Sequence, residues 1–326
     1  MAEANFIASA DNRHEKMTNV TSKDDISLDA PALLPLLTQC PHLNIITPSS
    51  STFEKFNEIY QQDTTAVPLA LIRPTTADEV ADIVRFATSA SPPIQITVRA
   101  GGHDLYARSN IHGSLIIDMK EIDTIELAAD KKSVILGGGT IGINLAKSLE
   151  KYGLITALGG CHSVGYAGWA TAGGYGGLNG ALGLGVDQIL GATLVSPKGD
   201  IIEADDELLW ALRGGGCNFG VITSLKIKVE TMPKVLAGVI VFPLSEAKKV
   251  LLRYQGLLDK DFPDAYGGEL VLSPLPGLGK ALIFSYTWAS SDLETGVQFA
   301  DKIRALGSVA MDTLLTFVLS NSSSLV

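Results

Sequence analysis

The chain has 326 residues, 46% of them apolar and 18% charged, enough to bury a sizeable core and long enough for two domains. A formal net charge of -10, with no cluster of Lys and Arg, argues against a nucleic-acid backbone as partner. No run approaches the roughly 18 apolar residues of a membrane span, and three cysteines (Cys40, Cys161 and Cys217) are too few and too odd in number for a disulfide framework.

The opening "MAEANFIASADNRHEKMTNV" lacks an apolar stretch long enough for a signal peptide, so the expected location is the cytoplasm. The acceptor-like triplets at Asn19 and Asn321 are then coincidental. Residues 1–64 read as a weakly helical segment without recognisable chemistry. From Val67 the pattern sharpens. "VPLALIRP" is a strand stopped by Pro74. "TADEVADIVRFATSA" is a helix in which Thr76 and Glu79 have capping-box spacing, the cap alone contributing about 1 kcal/mol. Val80, Ile83, Val84 and Ala87 form its apolar stripe. "IQITV" (94–98) is the next strand, so a βαβ unit delivers "RAGGHD" at a strand's C-terminal end.

"SLIIDM" (114–119) and "SVILG" (133–137) continue as strands, and "IGINLAKSLEKYG" is a helix closed by Gly153. "QILGATLVSPKGDIIEA" is a hairpin turning at Pro197 to Asp200, and "DDELLWALRGGG" is a short helix. "VITSLKIKVE" alternates, which places Val221, Thr223, Leu225, Ile227 and Val229 on one face. A boundary is expected near Pro233, which divides the chain into 1–64, 65–235 and 236–326. The last part holds a strand ("LAGVIVF"), a helix ("SEAKKVLLRYQGLL"), two strands ("GELVLS", "ALIFSYTW"), a helix ("DLETGVQFADKIRAL") and a final strand, an α+β pattern.

Two glycine-rich segments carry the chemistry. Residues 159–185 hold eleven of the 33 glycines, interleaved with Val164, Tyr166, Trp169, Tyr175 and Leu178. Such density costs conformational entropy, so the backbone must closely approach itself or a ligand. "GGGTIG" (Gly137, Gly139, Gly142) matches the dinucleotide fingerprint. The acidic residue required about 20 positions later is missing, however, so a plain turn into a helix is expected there. His103 follows Gly101 and Gly102, and Cys161 follows Gly159 and Gly160. A metal site built from His103, Asp104, Cys161 and His162 lacks the usual ligand spacing. A cysteine–histidine acyl-transfer pair would need an orienting acid and an oxyanion hole.

"RAGGHD", "GGCHSVGYAGWATAGGYGG" and "ALRGGGCNFGVITSLKIKV", in that order, resemble the vanillyl-alcohol oxidase superfamily and, more narrowly, its berberine-bridge-enzyme-like oxidases. The likeness runs from about Val67 to Val235. It implies an α+β fold: a two-part FAD-binding domain of the PCMH type, followed by an incomplete α+β substrate domain. The implied cofactor is FAD, attached through His103 to the 8α-methyl group and through Cys161 to ring carbon 6. By position, Arg99, Ala100, Gly101, Gly102 and Asp104 would line the pyrophosphate, and Val164, Gly165, Gly168, Gly173 and Gly174 would run along the flavin. Gly220, Val221 and Ile222 would return beside the adenosine, although strand core is an equal expectation for the last two. The implied activity is oxidation of a small organic alcohol, sugar or secondary metabolite by hydride transfer to flavin N5, with dioxygen as acceptor and no nucleic-acid or membrane partner. No catalytic base is assigned. Relatives usually continue beyond this chain's last residue, so a truncated, non-catalytic flavin-binding relative is the alternative. Ala107 stands where relatives often have glycine. Cys217 also replaces a common glycine and is expected to be buried.

Overall fold

The computed structural model describes residues 23–61, 65–232, 234–259 and 262–318. The triplets at Asn19 and Asn321 and the expected boundary residue Pro233 lie outside them. Helices α1 (Lys23–Asp29), α2 (Leu34–Gln39) and α3 (Phe53–Asn57) and the short strand β1 (Ile45–Ile46) lead into β2 (Ala70–Ile72), α4 (Ala77–Ser89), β3 (Ile96–Arg99) and β4 (Leu115–Asp118). The sheet order is β1-β2-β4-β3. β2, β4 and β3 run parallel, so their C-terminal ends share one edge, with Arg99 level with Asp118. The "AGGHD" loop leaves from that edge, as does the turn Met119–Glu121. Thr76 caps α4 by accepting from the Glu79 N–H at 3.2 Å. Glu79 reaches back to the Thr75 N–H instead of that of Thr76, which shifts the return half of the capping box by one residue.

A second sheet is antiparallel throughout. β5 (Ile125–Leu127), β6 (Ser133–Gly137), β7 (Ile189–Val195), β8 (Ile201–Glu203) and β9 (Val221–Lys228) lie in the order β5-β6-β9-β7-β8. Its two faces are buried against different cores. One face meets α4, where Val80, Val84 and Ala87 cluster with Val195 and Val221. The other meets α5 (Gly142–Glu150), α6 (Tyr166–Thr171) and α7 (Asp206–Gly215), where Leu145, Tyr166 and Leu212 cluster with Leu194 and Leu225. The simple alternation expected for β9 is broken. A register shift between Ile222 and Ser224 puts Ile222, not Val221, in the same core as Leu225 and Ile227.

The third sheet contains β10 (Lys234–Pro243), β11 (Tyr266–Gly267), β12 (Leu270–Leu275), β13 (Gly279–Trp288), β14 (Met311–Asp312) and β15 (Leu315–Val318). Its path is β11-β13-β10-β14, with β12 paired to β13 and β15 to β10. Helices α8 (Ala247–Leu258) and α9 (Leu293–Arg304) supply the partners for one face. There Leu282, Phe284, Tyr286 and Trp288 of β13 pack with Phe242, Phe299 and Ile303. The intervening Ile283, Ser285 and Thr287 point to the opposite face by the two-residue period. On that face Thr287 touches Gly177 of the second glycine segment. The fold is α+β, and among the described residues no helix is long and apolar enough to cross a membrane.

Candidate functional site

The two glycine segments interlock backbone to backbone. A Cβ on Gly101 would sit 2.4 Å from the Gly165 nitrogen and 2.5 Å from the Ser163 carbonyl oxygen, and a Cβ on Gly165 would sit 2.6 Å from the Ala100 methyl. Only glycine permits this approach. The contact brings the first loop's histidine to the second loop. His103 Nε2 lies 2.8 Å from Ser163 Oγ, and Cys161 Sγ lies 3.8 Å from the same oxygen. Imidazole and thiol therefore meet at one hydroxyl, although 58 positions separate them in the chain.

The Cys161 loop is held from behind by the "GGGTIG" turn. The first amides of α5 donate to it: Gly142 N–H to the Val164 carbonyl at 3.0 Å, and Ile143 N–H to the His162 carbonyl at 2.9 Å. These helix-terminal N–H groups, which a dinucleotide fingerprint would offer to phosphate, are thus used to fix the loop. Of the other glycines of that turn, Gly137 and Gly139 serve the seam between the first two sheets and Gly138 a close contact within the second. Cβ atoms on Gly137, Gly138 and Gly139 would collide with backbone at Ile122, Ile222 and Met119.

His103 is half-buried and stacked on Tyr60, with ring centroids 4.6 Å apart. Burial pushes its pKa below the ordinary histidine value, and the Lys120 ammonium adds to the shift. The imidazole is accordingly neutral, which is the nucleophilic form. Asp104 is occupied within its own loop. It accepts from Arg108 Nε at 2.9 Å and from the Tyr106 and Arg108 N–H groups, and the bond from Arg108 leads in holding its carboxyl below the usual range. Arg99 turns its guanidinium inward to Asp118 at 2.8 Å and to the Phe56 carbonyl, both partners of the ion pair being buried. Burial alone would raise the Asp118 pKa, but the cations of Arg99, Lys120 and Arg73 bring it below the ordinary value. The side chains of Arg99 and Asp104 thus shape the loop and are engaged within the protein.

The remaining expected residues divide in two. Gly102 sits in the first loop with φ +73°, its carbonyl accepting the Tyr60 N–H at 3.0 Å. A Cβ on Gly168 or Gly173 would meet nothing within 4 Å, so open space borders the second loop there. Gly174 packs on Gly185 and Trp169. Gly220 lies against the Val195 carbonyl, while Val221 and Ile222 bury their side chains in the two cores. Ala107 has φ +54°, the left-handed conformation that explains glycine's preference at that place. Cys217, expected to be buried, is exposed, because it sits in the turn after α7, whose last residues unwind at Arg213 and Gly214.

Further residues belong to the site. Tyr60, with Phe56 and Ile59, comes from the segment that was expected to lack chemistry and forms the outer wall of the His103 loop. Ser163 stands inside a quoted motif, but nothing in the sequence distinguishes it from loop filler. Lys120 follows the C-terminal end of β4. Glu269 precedes β12 and pairs through its carbonyl with the Ser285 N–H at 2.9 Å, which puts it in the row of Ser285 on the sheet face away from the helices. Its carboxylate oxygens lie 3.6 and 3.9 Å from the position of a Cβ on Gly160, next to Cys161. A lone acid at a strand start, in period with that face, was the available signal.

The donor set suits FAD: a neutral imidazole and an exposed thiol meet at one hydroxyl, beside open space left by glycines. Residues 68–205 match the FAD binding domain family. The FAD-linked oxidoreductase aurO of Gibberella zeae is 40% identical over 317 residues, which cover 94% of this chain and 61% of that protein. The (R)-6-hydroxynicotine oxidase of Paenarthrobacter nicotinovorans is 36% identical over 201 residues, 60% of this chain and 43% of that one. Among solved structures, 6-hydroxy-D-nicotine oxidase from Arthrobacter nicotinovorans superposes with TM-score 0.78 at 28% identity, covering 85% of this chain and 62% of that one. A berberine bridge enzyme variant shares the fold, with TM-score 0.77 at 22% identity over 88% of this chain and 61% of that one. The chain thus spans about 61% of the length of the first curated relative it matches.

Proposed function

We propose that the chain is a berberine-bridge-enzyme-like FAD-linked oxidoreductase of the vanillyl-alcohol oxidase superfamily, that it attaches FAD through His103 and Cys161, and that it oxidises a small organic alcohol, sugar or secondary metabolite with dioxygen as electron acceptor. The bound cofactor would supply the hydride-accepting nitrogen N5. The observation that carries this reading is the convergence of His103 Nε2 and Cys161 Sγ on one hydroxyl. The 8α-methyl carbon and carbon 6 lie on the same benzenoid ring, so nucleophiles meant for both must stand this close.

The protein's own groups then take defined parts. The backbone of 99–104 and the glycines at 165, 168, 173 and 174 border the cofactor. Tyr60 covers the imidazole and excludes water from one of its faces. Carbon 6 is the ring position neighbouring N5, so a group beside the Cys161 attachment stands on the side where hydride arrives. Glu269, whose carboxylate lies beside Gly160, would stand on that side in this reading. We assign it the proton of the substrate's hydroxyl group, which leaves as the carbon gives up hydride. Residues 65–235 form the cofactor-binding part in this reading, and 236–326 contribute to the substrate side.

The test is anaerobic mixing of the purified chain with a panel of alcohols and sugars, followed by acid precipitation. Yellow colour retained in the pellet and bleached by a panel member before precipitation is the expected result. Colour released wholly into the supernatant would refute double attachment. Absence of bleaching across the panel would refute the oxidative activity.

A further inference from the structure

Ser163 is in contact with both nucleophiles, and neither a motif nor a relative's name assigns it a role. Its hydroxyl has two acceptor lone pairs and one hydrogen. At 2.8 Å from His103 Nε2, the oxygen either accepts the Nε2 hydrogen or donates to Nε2. Donation would use the Nε2 lone pair and put the ring hydrogen on Nδ1, leaving a neutral imidazole with no in-plane pair for bond formation. Acceptance does the opposite: the hydrogen stays on Nε2 and the pair stays on Nδ1. The Ser163 hydrogen is then directed elsewhere, and Cys161 Sγ, at 3.8 Å, lies within reach of it.

We propose that Ser163 is a positioning residue for flavin attachment, holding the Nε2–H tautomer of His103 and the rotamer of Cys161 through a single hydroxyl. The proposal rests on the double-attachment reading above. Its geometric support is independent of any relative. Stacking on Tyr60 fixes the plane of the imidazole, the hydrogen bond to Ser163 fixes its rotation within that plane, and the Gly101–Gly165 contact fixes the distance between the loops. At His103 the bond formed is from Nδ1 to the 8α carbon and the bond broken is one C–H of that methyl group. That hydrogen and the Nε2 hydrogen leave as two protons, and two electrons pass to the ring system and from there to dioxygen, which becomes hydrogen peroxide. At Cys161 the bond formed is S–C and the bonds broken are the C–H at carbon 6 and the thiol S–H, with the same destination for the two protons and two electrons. Each attachment therefore consumes one dioxygen molecule.

The experiment follows attachment rather than turnover. Flavin-free chains carrying Ser163→Ala or Ser163→Thr are mixed with FAD in air beside the unsubstituted chain. Samples are quenched in acid over time, and peptides containing His103 and Cys161 are measured by mass spectrometry for added flavin. One lost hydrogen bond of ordinary strength corresponds to about tenfold in rate. S163A is expected to attach about tenfold more slowly at His103 and more slowly at Cys161 while binding FAD reversibly, and S163T, which keeps the hydroxyl, is expected to restore both. Attachment by S163A at the unsubstituted rate would overturn the proposal. So would a loss of total flavin with an unchanged attached fraction, the signature of a merely structural role. If S163A does not fold, Ser163→Cys, close in size and a poor acceptor, is judged by the same outcomes. If the unsubstituted chain itself binds FAD but never becomes acid-stable, the double-attachment reading fails first and this proposal with it, a result distinct from selective slowing in the variant.

Discussion

Gly101→Ala tests the interlock most directly, because its effect can be worked from distances. The added methyl would lie 2.4 Å from the Gly165 nitrogen, 2.5 Å from the Ser163 oxygen and 3.0 Å from the Val164 carbonyl carbon, all backbone atoms that cannot swing aside. Restoring ordinary contact requires the loops to part by about 1 Å, an overpacking strain costing about 1–3 kcal/mol. The same movement stretches the 2.8 Å His103–Ser163 contact beyond hydrogen-bonding range. A displacement of that size costs about a hundredfold where reacting groups must be aligned. Denaturant melts of the flavin-free chain should show the lost stability, and acid-stable flavin should accumulate about a hundredfold more slowly. Gly168→Ala is the control of opposite sign. Its Cβ meets nothing within 4 Å and lies in α6, so alanine should stabilise the flavin-free chain by up to about 1 kcal/mol. The same methyl enters the space assigned to the cofactor and should weaken FAD retention. If G101A melts and attaches like the unsubstituted chain, the interlock does not position the nucleophiles.

Four further substitutions address separate links. The His103 pKa is depressed by burial and then by Lys120, so the folded chain takes up this proton at lower pH than the unfolded one, whose value is near 6.5. The attachment rate should therefore hold above 6.5 and decline only below it, and stability owed to the neutral ring is lost as pH falls from 6.5 toward the folded value. Lys120→Met should raise the midpoint without restoring 6.5, since burial is the larger cause; an unmoved midpoint in rate-versus-pH curves would exclude the coupling. Glu269→Gln should lower turnover about a hundredfold or more while peptide mapping shows unchanged attachment at His103 and Cys161. Arg99→Met leaves Asp118 buried without its 2.8 Å partner and should cost about 3–5 kcal/mol in chemical denaturation, less if Arg73, at 3.6 Å, closes in. Ala107→Gly relieves the left-handed φ of +54° and should stabilise by up to about 1 kcal/mol, read as a raised melting temperature.

Much of the fold was legible because its signals are local. The cap at Thr76, the stripe of α4 and the hairpin of β7 and β8 each follow from residues a few positions apart. The register of β9 was not, because the shift between Ile222 and Ser224 depends on two different cores covering its two faces. The site divides in the same way. His103 and Cys161 stood out as nucleophiles after paired glycines. Tyr60, Ser163 and Glu269 did not, since each gains its meaning from a contact across the chain: a ring face, a shared hydroxyl, a neighbouring glycine. Arg99 was legible as a loop residue, but the direction of its side chain is decided by Asp118, one strand away.

The distance between His103 and Cys161 is set by more than the two loops. His103 rises from the sheet whose core includes Ile72, Leu115 and Ile117, and Cys161 from the loop fixed by α5 over the core of Leu145 and Leu225. Those cores meet along β9, where Val221 faces one and Ile222 the other. Beside them, Gly137 and Gly139 let the second sheet's backbone touch that of Ile122 and Met119, while Gly138 closes on Ile222 within the second sheet. Where backbone meets backbone the seam has little freedom to slide, because each shift produces a backbone collision instead of a rotamer change. The glycines of "GGGTIG" therefore contribute to the site without touching it: they fix the docking of two lobes, and α5, which they open, holds the Cys161 loop through the carbonyls of His162 and Val164. The proposed double attachment would thus depend on the docked pair of lobes, and a chain in which either lobe folded alone would bring only one nucleophile to the cofactor.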